Sequence, residues 1–508
     1  MSTVAAPDAL AAALARWEPV IGIEVHAQLR TASKMFCGCS TDYDGAPPNS
    51  HVCPVCLGLP GVLPVINRRA VELVLATGVA VGGTTPAATR WDRKNYFYPD
   101  LPKGYQISQY DIPLASGGSL TFDTSAGPVT VRIHRAHLEE DTAKLVHHVG
   151  PDGRRVSLVD FNRSGAPLME IVTEPDVRTS EGARRYAEEL QLLLRTIGAS
   201  DADMERGQMR VEANVSLRAR GTTQFGIRIE VKNMNSFRSV EHAVAHEIVR
   251  QAALLDAGEE LVQETRGWSD ERGATYRMRV KETSDDYRYF PEPDLPPLKV
   301  GAAWLAGIRA TLPELPSARR ARYRTVHGLS AYDAAVIVAD PTMTTAFEAI
   351  TDAEPSLPPK DVANLVTGDY GRAANETAER GADGLVGHGR AGELADLLRR
   401  VGAGELSRPN AKEVLAEHLT HGGSVGAIVE ARGFRQISDA SALAEVVGRV
   451  LTENPAAVAD FRVGKAQAVG YLVGQVMKAT RGQANAALVQ DAVRRQLAAG
   501  PEGGEEPA

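Results

Sequence analysis

A period-two alternation of apolar and polar residues constrains the fold of this chain more than any other feature. Residues 209–218 are apolar at every odd position and polar at every even one, and residues 20–29 and 227–232 follow a similar rule. Such alternation is typical of β-strands that bury one face and keep the other polar. The short polar link between 209–218 and 227–232 predicts an antiparallel hairpin.

Helical periodicity and proline content divide the rest of the chain. Apolar residues recur at helical spacing over 181–197 and 239–256, and each run is followed by a glycine. Four prolines cluster just after Phe290, and nearly every segment from about Ala302 onward shows helical periodicity. The sequence predicts an α+β protein with four parts. These are a mixed α/β domain with an antiparallel sheet (17–296), an all-helical middle domain (297–405), a small helical tail domain (406–499) and a disordered tail (500–508).

The overall charge excludes several classes of function. The chain of 508 residues has a formal net charge of −8, which excludes a uniformly basic nucleic-acid binder but allows a local basic face. No apolar stretch is long enough to span a bilayer, and residues 1–16 lack the basic segment of a signal peptide. These features predict a cytoplasmic protein with no membrane partner.

The cysteines are confined to one short stretch, as Cys37, Cys39, Cys53 and Cys56. Four thiolates can close a tetrahedral zinc site, and the second pair has the spacing of a zinc knuckle, although the first pair is closer than usual. His51 can replace one ligand, and a set of buried free thiols is the alternative. A zinc ion here would be structural, because a closed shell leaves no open position.

Carboxylates occur where burial is expected. Glu170 interrupts the apolar run 167–172, where an ionised side chain requires a partner or a metal ion. Glu24 and His26 share a strand face, and residues 137–141 end in three consecutive acidic side chains. Carboxylates and an imidazole from separate segments can hold a hard cation. A salt-bridge network would give the same pattern. Its arginines would be Arg132, Arg135 and Arg163.

Two further segments, 91–100 and 284–294, combine aromatic rings with cations. A cation beside planar rings is suited to phosphates and to stacked bases. Packed loops with hydrogen-bonded tyrosines would have the same composition, so both interpretations stay open at this point.

Seven sequence blocks together resemble those of a known family. They are 20–26 (VIGIEVH), 92–100 (DRKNYFYPD), 105–109 (YQISQ), 137–141 (HLEED), 158–163 (LVDFNR), 285–294 (DDYRYFPEPD) and 470–479 (GYLVGQVMKA). They are similar to blocks of the B subunits of bacterial aspartyl/glutamyl-tRNA(Asn/Gln) amidotransferases. The resemblance extends over nearly the whole chain, except for its N-terminal arm and its acidic C-terminal tail.

The resemblance implies an ATP-dependent transamidation. In this family the B subunit binds a mischarged Glu-tRNA(Gln) or Asp-tRNA(Asn) and uses ATP with Mg²⁺ to phosphorylate the side-chain carboxylate. The A subunit, which is a glutaminase, supplies ammonia through an internal tunnel, and the C subunit ties the complex together. The alternative function is a non-catalytic tRNA-binding chaperone built on the zinc knuckle.

The resemblance also assigns roles to residues of the N-terminal domain, the catalytic cradle of this family. His26, Glu140 and Glu170 match the catalytic Mg²⁺ positions, with Glu24 close by. The predicted contacts to the ATP phosphates are Lys94 and Arg163.

Two further groups of residues receive roles outside the metal site. The helical tail is expected to bind the tRNA body through phosphate contacts from Lys465, Lys478 and Arg481. Polar strand faces are expected to line the ammonia route. Their members are Arg210, Glu212, Asn214, Arg228, Glu230 and Lys232. Some family members lack the four cysteines, which favours a structural role for zinc.

Overall fold

The computed structural model describes residues 7–280, 287–373, 388–434, 440–463, 465, 467–480, 484 and 486–499. The chain divides into two units, Met1–Ser317 and Ala318–Ala508. The first unit contains all of the predicted metal ligands.

The first unit combines strands and helices, as the sequence predicts. Its strands are β1 (Trp17–Gln28), β2 (Ala88–Thr89), β3 (Asp92–Asn95), β4 (Tyr105–Ser108), β5 (Ala115–Ser116), β6 (Ser119–Thr124), β7 (Gly127–Glu140), β8 (Lys144–Val149), β9 (Arg155–Asp160), β10 (Pro167–Thr173), β11 (Met209–Ala219), β12 (Ile229–Met234), β13 (Glu264–Ser269), β14 (Ala274–Val280), β15 (Phe290–Pro291) and β16 (Leu298–Lys299). Its helices are α1 (Pro7–Arg16), α2 (Arg68–Ala80), α3 (Ser180–Thr196), α4 (Phe237–Asp256) and α5 (Ala302–Thr311).

The central sheet has the strand order β14-β13-β12-β11-β1-β10-β7-β5, and β6 pairs with another part of β7. Its neighbours are antiparallel except for β12 and β13, which run parallel. The predicted hairpin is confirmed, because β11 pairs antiparallel with β12 and Val215 lies opposite Ile229.

One face of this sheet carries the hydrophobic core. The odd-numbered residues of β1 from Pro19 to Ala27 and of β11 from Met209 to Leu217 are buried, and Ile23 and Val211 are only 1% and 2% exposed. Helix α3 adds Tyr186 and Leu190 to this core, and α4 adds Val244. Each fully buried aliphatic side chain contributes about 1.5–3 kcal/mol to folding. Because side chains alternate along a strand, the even-numbered residues form a polar face on the other side.

The two helices that cover the core begin and end where the sequence predicts. Thr179 and Ser236 precede α3 and α4, and each side-chain oxygen accepts a backbone N–H of the first turn. Gly198 and Gly258 follow the helix ends with φ of +68° and +75°, the left-handed conformation that glycine adopts without strain.

Helix α1 was not anticipated from the sequence. Its Ala13 is 3% exposed and belongs to the main core. Arg16 forms an ion pair with Asp256 at the end of α4, and the Trp17 indole N–H donates to the same carboxylate at 3.0 Å. The Ala-rich arm is therefore part of the first unit.

A small three-stranded sheet, β15-β3-β4, joins the two aromatic segments. Lys94 lies opposite Gln106, and Phe290 lies opposite Arg93. The guanidinium of Arg93 donates to the carboxylate of Glu292 at 2.7 Å, across 199 positions of sequence. This pairing fixes both aromatic segments beside β7.

The second unit is helical in its described residues, in agreement with the prediction. From Pro316 onward the helices are α6 (Pro316–Thr325), α7 (Ala331–Ala339), α8 (Pro341–Ala353), α9 (Pro359–Leu365), α10 (His388–Gly402), α11 (Arg408–His421), α12 (Val425–Arg432), α13 (Ala440–Glu453), α14 (Pro455–Arg462), α15 (Gln467–Ala479) and α16 (Ala486–Ala499), with a π-helical turn at Val366–Tyr370. Helices α13 to α16 share a core of their own. The boundaries at 296 and 405 stay predictions, and the tail 500–508 lies outside the described residues. Of the helices described, none is both long and apolar enough to cross a membrane.

Candidate active site

Strand register brings two histidines and a glutamate together on the polar face of the central sheet. His26 of β1 lies opposite Glu170 of β10, and Glu170 lies opposite His137 of β7. Directly opposed residues of neighbouring strands point to the same face, so these three side chains share one small volume.

Two further carboxylates complete a group that we call the acidic cluster. Its members are Glu24, His26, His137, Glu139 and Glu170. Nε2 of His26 lies 3.4 Å from Oε2 of Glu170, 3.6 Å from Oε1 of Glu139 and 3.9 Å from Oε1 of Glu24. Nε2 of His137 lies 3.5 Å from Oε2 of Glu170 and 3.8 Å from Oε2 of Glu139. Glu139 and Glu170 are 2% and 5% exposed, so both carboxylates are withdrawn from water.

The acidic cluster has the donor set of a divalent metal site. Glu24, His26 and Glu170 each offer one ligand atom, and these atoms lie within 4.8 Å of one another. His137, Glu139 and Glu170 form a second such group. Carboxylate oxygens suit Mg²⁺ and Mn²⁺, and an imidazole nitrogen adds affinity for Mn²⁺ and other transition metals.

Mutual charge compensation sets the protonation of the acidic cluster. Burial disfavours the imidazolium of His26, but its hydrogen bond to Glu170 and the surrounding carboxylates raise its pKa to about 9. Burial and the charge of Glu170 raise the pKa of Glu24 to about 7. Burial acts against ionisation of Glu170 as well, yet the charges of His137 and His26 hold its pKa well below the ordinary value. The pKa of Glu139 is lowered too, because its interactions with His137 and Lys94 outweigh the effect of burial.

The structure does not bring Glu140 into this group, although the sequence analysis placed it there. Consecutive residues of a strand point to opposite faces, so Glu139 faces His26 and Glu140 faces away. The Glu140 carboxylate accepts the backbone N–H of Ile107 at 2.9 Å and pairs with Lys103. His137 and Glu139 share one face of β7 because they are two positions apart on the strand.

The salt-bridge alternative accounts for only part of the observed contacts. Arg135 reaches Glu170 at 3.4 Å. Arg132 instead pairs with Asp176 at 2.8 Å. Arg163 lies 3.6 Å from Asp141, which is not a member of the acidic cluster, so two of the three arginines reach the acidic residues of the alternative and Arg135 reaches the cluster itself.

Lys94 lies on β3 of the small sheet, and its ammonium interacts electrostatically with carboxylates of the acidic cluster. Burial acts against its ammonium, but the charges of Glu139 and Glu170 raise its pKa well above the ordinary value. Its Nζ lies 5.1 Å from the ring centroid of Tyr287. Among the described residues no carboxylate lies within ion-pair distance of Nζ, so this cation is available to an incoming anion.

Five tyrosines lie in ring contact around Lys94 and form a group that we call the tyrosine chain. Its members are Tyr110, Tyr289, Tyr287, Tyr96 and Tyr98. Tyr110 stacks on Tyr289 at 4.2 Å, and the other successive centroids are 5.8 to 6.1 Å apart. The two end rings, Tyr98 and Tyr110, are 50% and 47% exposed.

Arg163 lies at a polar cavity of about 1040 Å³ that Gln28 also lines. Its guanidinium donates to the carbonyls of Thr142 and Ala143 at 2.9 and 2.8 Å, and it lies 3.6 Å from Asp141. These contacts hold Arg163 at the cavity wall.

The predicted polar strand faces are continuous with the acidic cluster. Glu212 lies opposite Glu24, and Lys232 pairs with Glu212 at 2.7 Å and with Glu230 at 3.7 Å. Arg210 pairs with Asp141 at 3.2 Å, and Asn214 lies opposite Glu230. Arg228 is exposed and precedes β12, so it does not take part in this row.

The four cysteines converge as the sequence predicts. The Sγ atoms of Cys37, Cys39, Cys53 and Cys56 lie within 4.8 Å of one another, and the last two are 3.9 Å apart. In a tetrahedral zinc site, with a Zn–S distance of about 2.3 Å, the sulfur atoms are roughly 3.8 Å apart.

The Cys56 sulfur is placed to be a thiolate. The Cys53 N–H donates to it at 3.1 Å. The hydrogen bond from Cys37, and among lesser causes the charge of Lys34, lower the Cys56 pKa to about 4. We call the four cysteines the cysteine centre, and His51 is not a member.

The residues predicted to contact tRNA lie in the last helices of the second unit. Lys465 is exposed and pairs with Asp460 at 2.8 Å. Lys478 is exposed near the end of α15. Arg481 lies outside the described residues.

Comparisons with known proteins agree on one family. The model of the GatB/GatE catalytic domain matches residues 19–306, and that of the GatB domain matches residues 345–497. The B subunit of the aspartyl/glutamyl-tRNA(Asn/Gln) amidotransferase of Moorella thermoacetica is 50% identical over 482 residues, which are 95% of this chain and 100% of the relative. The B subunits of the same name from Thermomicrobium roseum and Dehalococcoides mccartyi are 50% and 47% identical, over 95% and 96% of this chain and 99% and 100% of their own length.

We expect the affinity of the acidic cluster for Mn²⁺ to rise between pH 7 and pH 9. With a pKa of about 9, the His26 ring holds a proton at neutral pH, and a metal ligand must release it. The apparent dissociation constant should therefore fall by up to about tenfold per pH unit and level off above the His26 pKa. Calorimetric titration in buffers of different ionisation enthalpy measures both the affinity and the protons released.

The same shift predicts the opposite trend for the metal-free protein. A raised pKa stabilises the fold below the ordinary histidine value, and this contribution is lost as the pH rises through about 9. A His134→Gln variant is the control, because His134 lies on β7 and pairs with Glu174 outside the acidic cluster. A free energy of unfolding of the metal-free wild type that does not fall between pH 7 and pH 9 would contradict this prediction, and a Mn²⁺ affinity that is equal at both ends of the range would contradict the preceding one.

Proposed function

This chain belongs to the family of aspartyl/glutamyl-tRNA(Asn/Gln) amidotransferase B subunits, and we propose that the acidic cluster is its site of carboxylate activation. The activity of the family is tRNA-dependent transamidation by a glutamine-hydrolysing enzyme complex. One observation carries the proposal: two buried carboxylates and two imidazoles meet on a polar sheet face, and the charge of Lys94 is directed at them.

A divalent cation, Mg²⁺ in the first instance, fits the donor set of the acidic cluster. We propose His26, Glu139 and Glu170 as its ligands, with Glu24 beside them and Glu139 in place of Glu140. When bound, such an ion neutralises the charge on the phosphates of ATP. Nε2 of His137 lies 3.8 Å from Oε2 of Glu139, where its charge would help to hold this ligand in place.

The chemistry explains why ATP is needed. The side-chain carboxylate of a mischarged Glu-tRNA(Gln) or Asp-tRNA(Asn) is a poor acyl donor, because its leaving group would be oxide. Attack of a carboxylate oxygen on the γ-phosphate of ATP gives an acyl phosphate and ADP. Ammonia then attacks the acyl carbon, phosphate leaves, and the amide of Gln-tRNA(Gln) or Asn-tRNA(Asn) is formed with loss of a proton.

Lys94 and the tyrosine chain would bind the nucleotide. Lys94 has no ion-pair partner among the described residues, and a phosphate oxygen would compensate its charge. Tyr110 is 47% exposed and stacks on Tyr289, and a base would stack on its outer face. Arg163 is held by main-chain carbonyls at the polar cavity and would add a second cation for phosphates.

Ammonia would reach the acyl phosphate along the polar row formed by Glu212, Lys232 and Glu230. This row runs from the acidic cluster across β11 and β12, and Thr265 of β13 donates to Glu230 at 2.7 Å. We propose that the ammonia comes from the A subunit, the glutaminase, and that the C subunit completes the complex.

The cysteine centre would hold a structural zinc ion. The four sulfurs lie within 4.8 Å of one another, those of Cys53 and Cys56 are 3.9 Å apart, and four thiolates would fill every position of a tetrahedral zinc ion. A structural zinc site of this kind contributes roughly 10–16 kcal/mol of apparent binding free energy.

The helical tail would bind the body of the tRNA. Lys478 is exposed on α15, and Lys465 lies on the same small helical assembly. A few phosphate contacts give salt-sensitive affinity even on an acidic chain. A non-catalytic chaperone would need this surface but not the buried acidic cluster, whose desolvation opposes folding.

Glu139→Gln should abolish phosphorylation of Glu-tRNA(Gln), whereas Glu140→Gln should retain it. The first substitution removes a charge facing His26, and the second removes one facing Lys103. We expect the first variant to lose at least about a hundredfold in rate, or about 2.7 kcal/mol of transition-state stabilisation. Transfer of labelled γ-phosphate by the reconstituted three-subunit complex measures this loss.

Glutamine hydrolysis by the same complex is the control for assembly and should persist in both variants. The converse result, with phosphorylation lost only in Glu140→Gln, would overturn the choice of Glu139.

Lys478→Ala should weaken tRNA binding mainly at low salt. If Lys478 contacts one phosphate, the slope of log affinity against log salt should decrease by about one. Binding of labelled tRNA across a salt series measures the slope. Lys360→Ala is a suitable comparison, because Lys360 is engaged by Asp333 at 2.6 Å. An unchanged slope in Lys478→Ala would contradict its assignment.

A further inference from the structure

Lys34, in the loop after β1, is a lysine that is almost completely enclosed by the protein. It is 1% exposed, and its Nζ donates to the carbonyl oxygen of Phe161 at 3.2 Å. Within the part of the chain that the structure describes, no carboxylate lies within ion-pair distance of this ammonium. A carbonyl dipole alone is a weak compensation for a desolvated charge.

Two other interior lysines of the first unit have carboxylate partners. Lys103 pairs with Glu140, and Lys232 pairs with Glu212 at 2.7 Å. Lys94 has no such partner among the described residues, but it faces the carboxylates of the acidic cluster. Lys34 therefore differs from Lys103 and Lys232 in having no carboxylate within ion-pair distance among the described residues.

Lys34 lies beside the cysteine centre. The Lys34 backbone N–H donates to the carbonyl oxygen of Cys39 at 2.9 Å, so Lys34 lies at the base of the first cysteine pair. The side chains of Lys34 and Cys56 flank one glycine: a Cβ at Gly165 would lie 3.8 Å from Lys34 Cδ and 3.5 Å from Cys56 Cβ.

We propose that Lys34 is the buried counter-charge of a metal–thiolate centre formed by the four cysteines. The inference rests on the zinc centre proposed above. Four thiolates around a divalent ion carry a net negative charge, which a neighbouring ammonium stabilises in a water-free environment. Four neutral thiols would leave Lys34 without compensation, so its burial favours a metal centre over a set of free thiols.

Lys34 also connects the cysteine centre to the turn that leads into β10. Its ammonium holds Phe161, and the neighbouring Met35 N–H donates to the Gly165 carbonyl at 2.7 Å. The Ser164 hydroxyl donates to the Cys56 carbonyl at 3.1 Å. Lys34 is thus a positioning residue that acts through the thiolates and through this turn.

Two substitutions separate the charge of Lys34 from its hydrogen bond. Lys34→Met removes both, whereas Lys34→Gln removes the charge and keeps an amide donor for Phe161. We expect both full-length variants to lose about 10–100-fold in zinc affinity, the usual effect of residues that support metal ligands. Competition with a chromophoric chelator measures the affinity. Lys360→Met is the control and should bind zinc like the wild type, because Lys360 pairs with Asp333 at 2.6 Å and belongs to the second unit, whereas the cysteines belong to the first.

Cobalt substitution provides a second readout. A tetrahedral thiolate site gives Co²⁺ an intense sulfur-to-metal absorption, which should persist in both Lys34 variants at higher metal concentration. Circular dichroism reports folding, and if Lys34→Met does not fold, the comparison is made with Lys34→Gln.

Each outcome bears on a different claim. A wild-type protein that binds neither zinc nor cobalt would overturn the metal centre and, with it, the role of Lys34. Wild-type affinity in both Lys34 variants would overturn the counter-charge alone. Wild-type affinity in Lys34→Gln only would assign the effect to the hydrogen bond. Phosphorylation at the acidic cluster is tested separately, so the catalytic proposal does not depend on these results.

Discussion

Burial of Glu139 and Glu170 is the constraint on which the candidate site depends. Neither carboxylate can remain ionised away from water without positive charge close by, and His26, His137 and Lys94 supply it. Removing one partner from a buried group of this kind costs about 3–5 kcal/mol, because the remaining charge stays desolvated. Well-packed apolar residues of similar size would stabilise the sheet at least as well. The cluster is therefore better explained by the ligand that it can bind than by stability.

The polar face of the sheet could be predicted because alternation is a local property. The patterns of β1 and β11 identify which residues face the core, and the structure confirms them. The same reasoning failed to separate Glu139 from Glu140. On β7 all residues from Ala136 to Glu140 are buried, since one side packs in the acidic cluster and the other lies under β4, whose Ile107 N–H binds Glu140. Burial on both faces removes the polar contrast from which a facing direction is read.

The environment of Lys94 could not be predicted from local sequence. Its ring neighbours come from residues 96–110 and 287–289, which are joined only when β15 pairs with β3. Strands of two residues leave little periodicity to detect, and their pairing depends on long-range contacts such as that of Arg93 with Glu292. The composition of the two segments was compatible with phosphate and base binding and with packed loops, and it did not show that both segments lie beside one lysine.

Two interior lysines give the acidic cluster and the cysteine centre a common feature. Lys94 and Lys34 both lack a carboxylate within ion-pair distance in the described part of the chain, while Lys103 and Lys232 have one. A folded chain can leave an interior cation unpaired when a bound anion or an anionic metal centre completes the site. For Lys94 that anion would be a phosphate, which arrives and leaves in each catalytic cycle. For Lys34 it would be a thiolate–metal centre that is retained. The same electrostatic requirement then accounts for a residue that acts on substrate and for one that maintains structure.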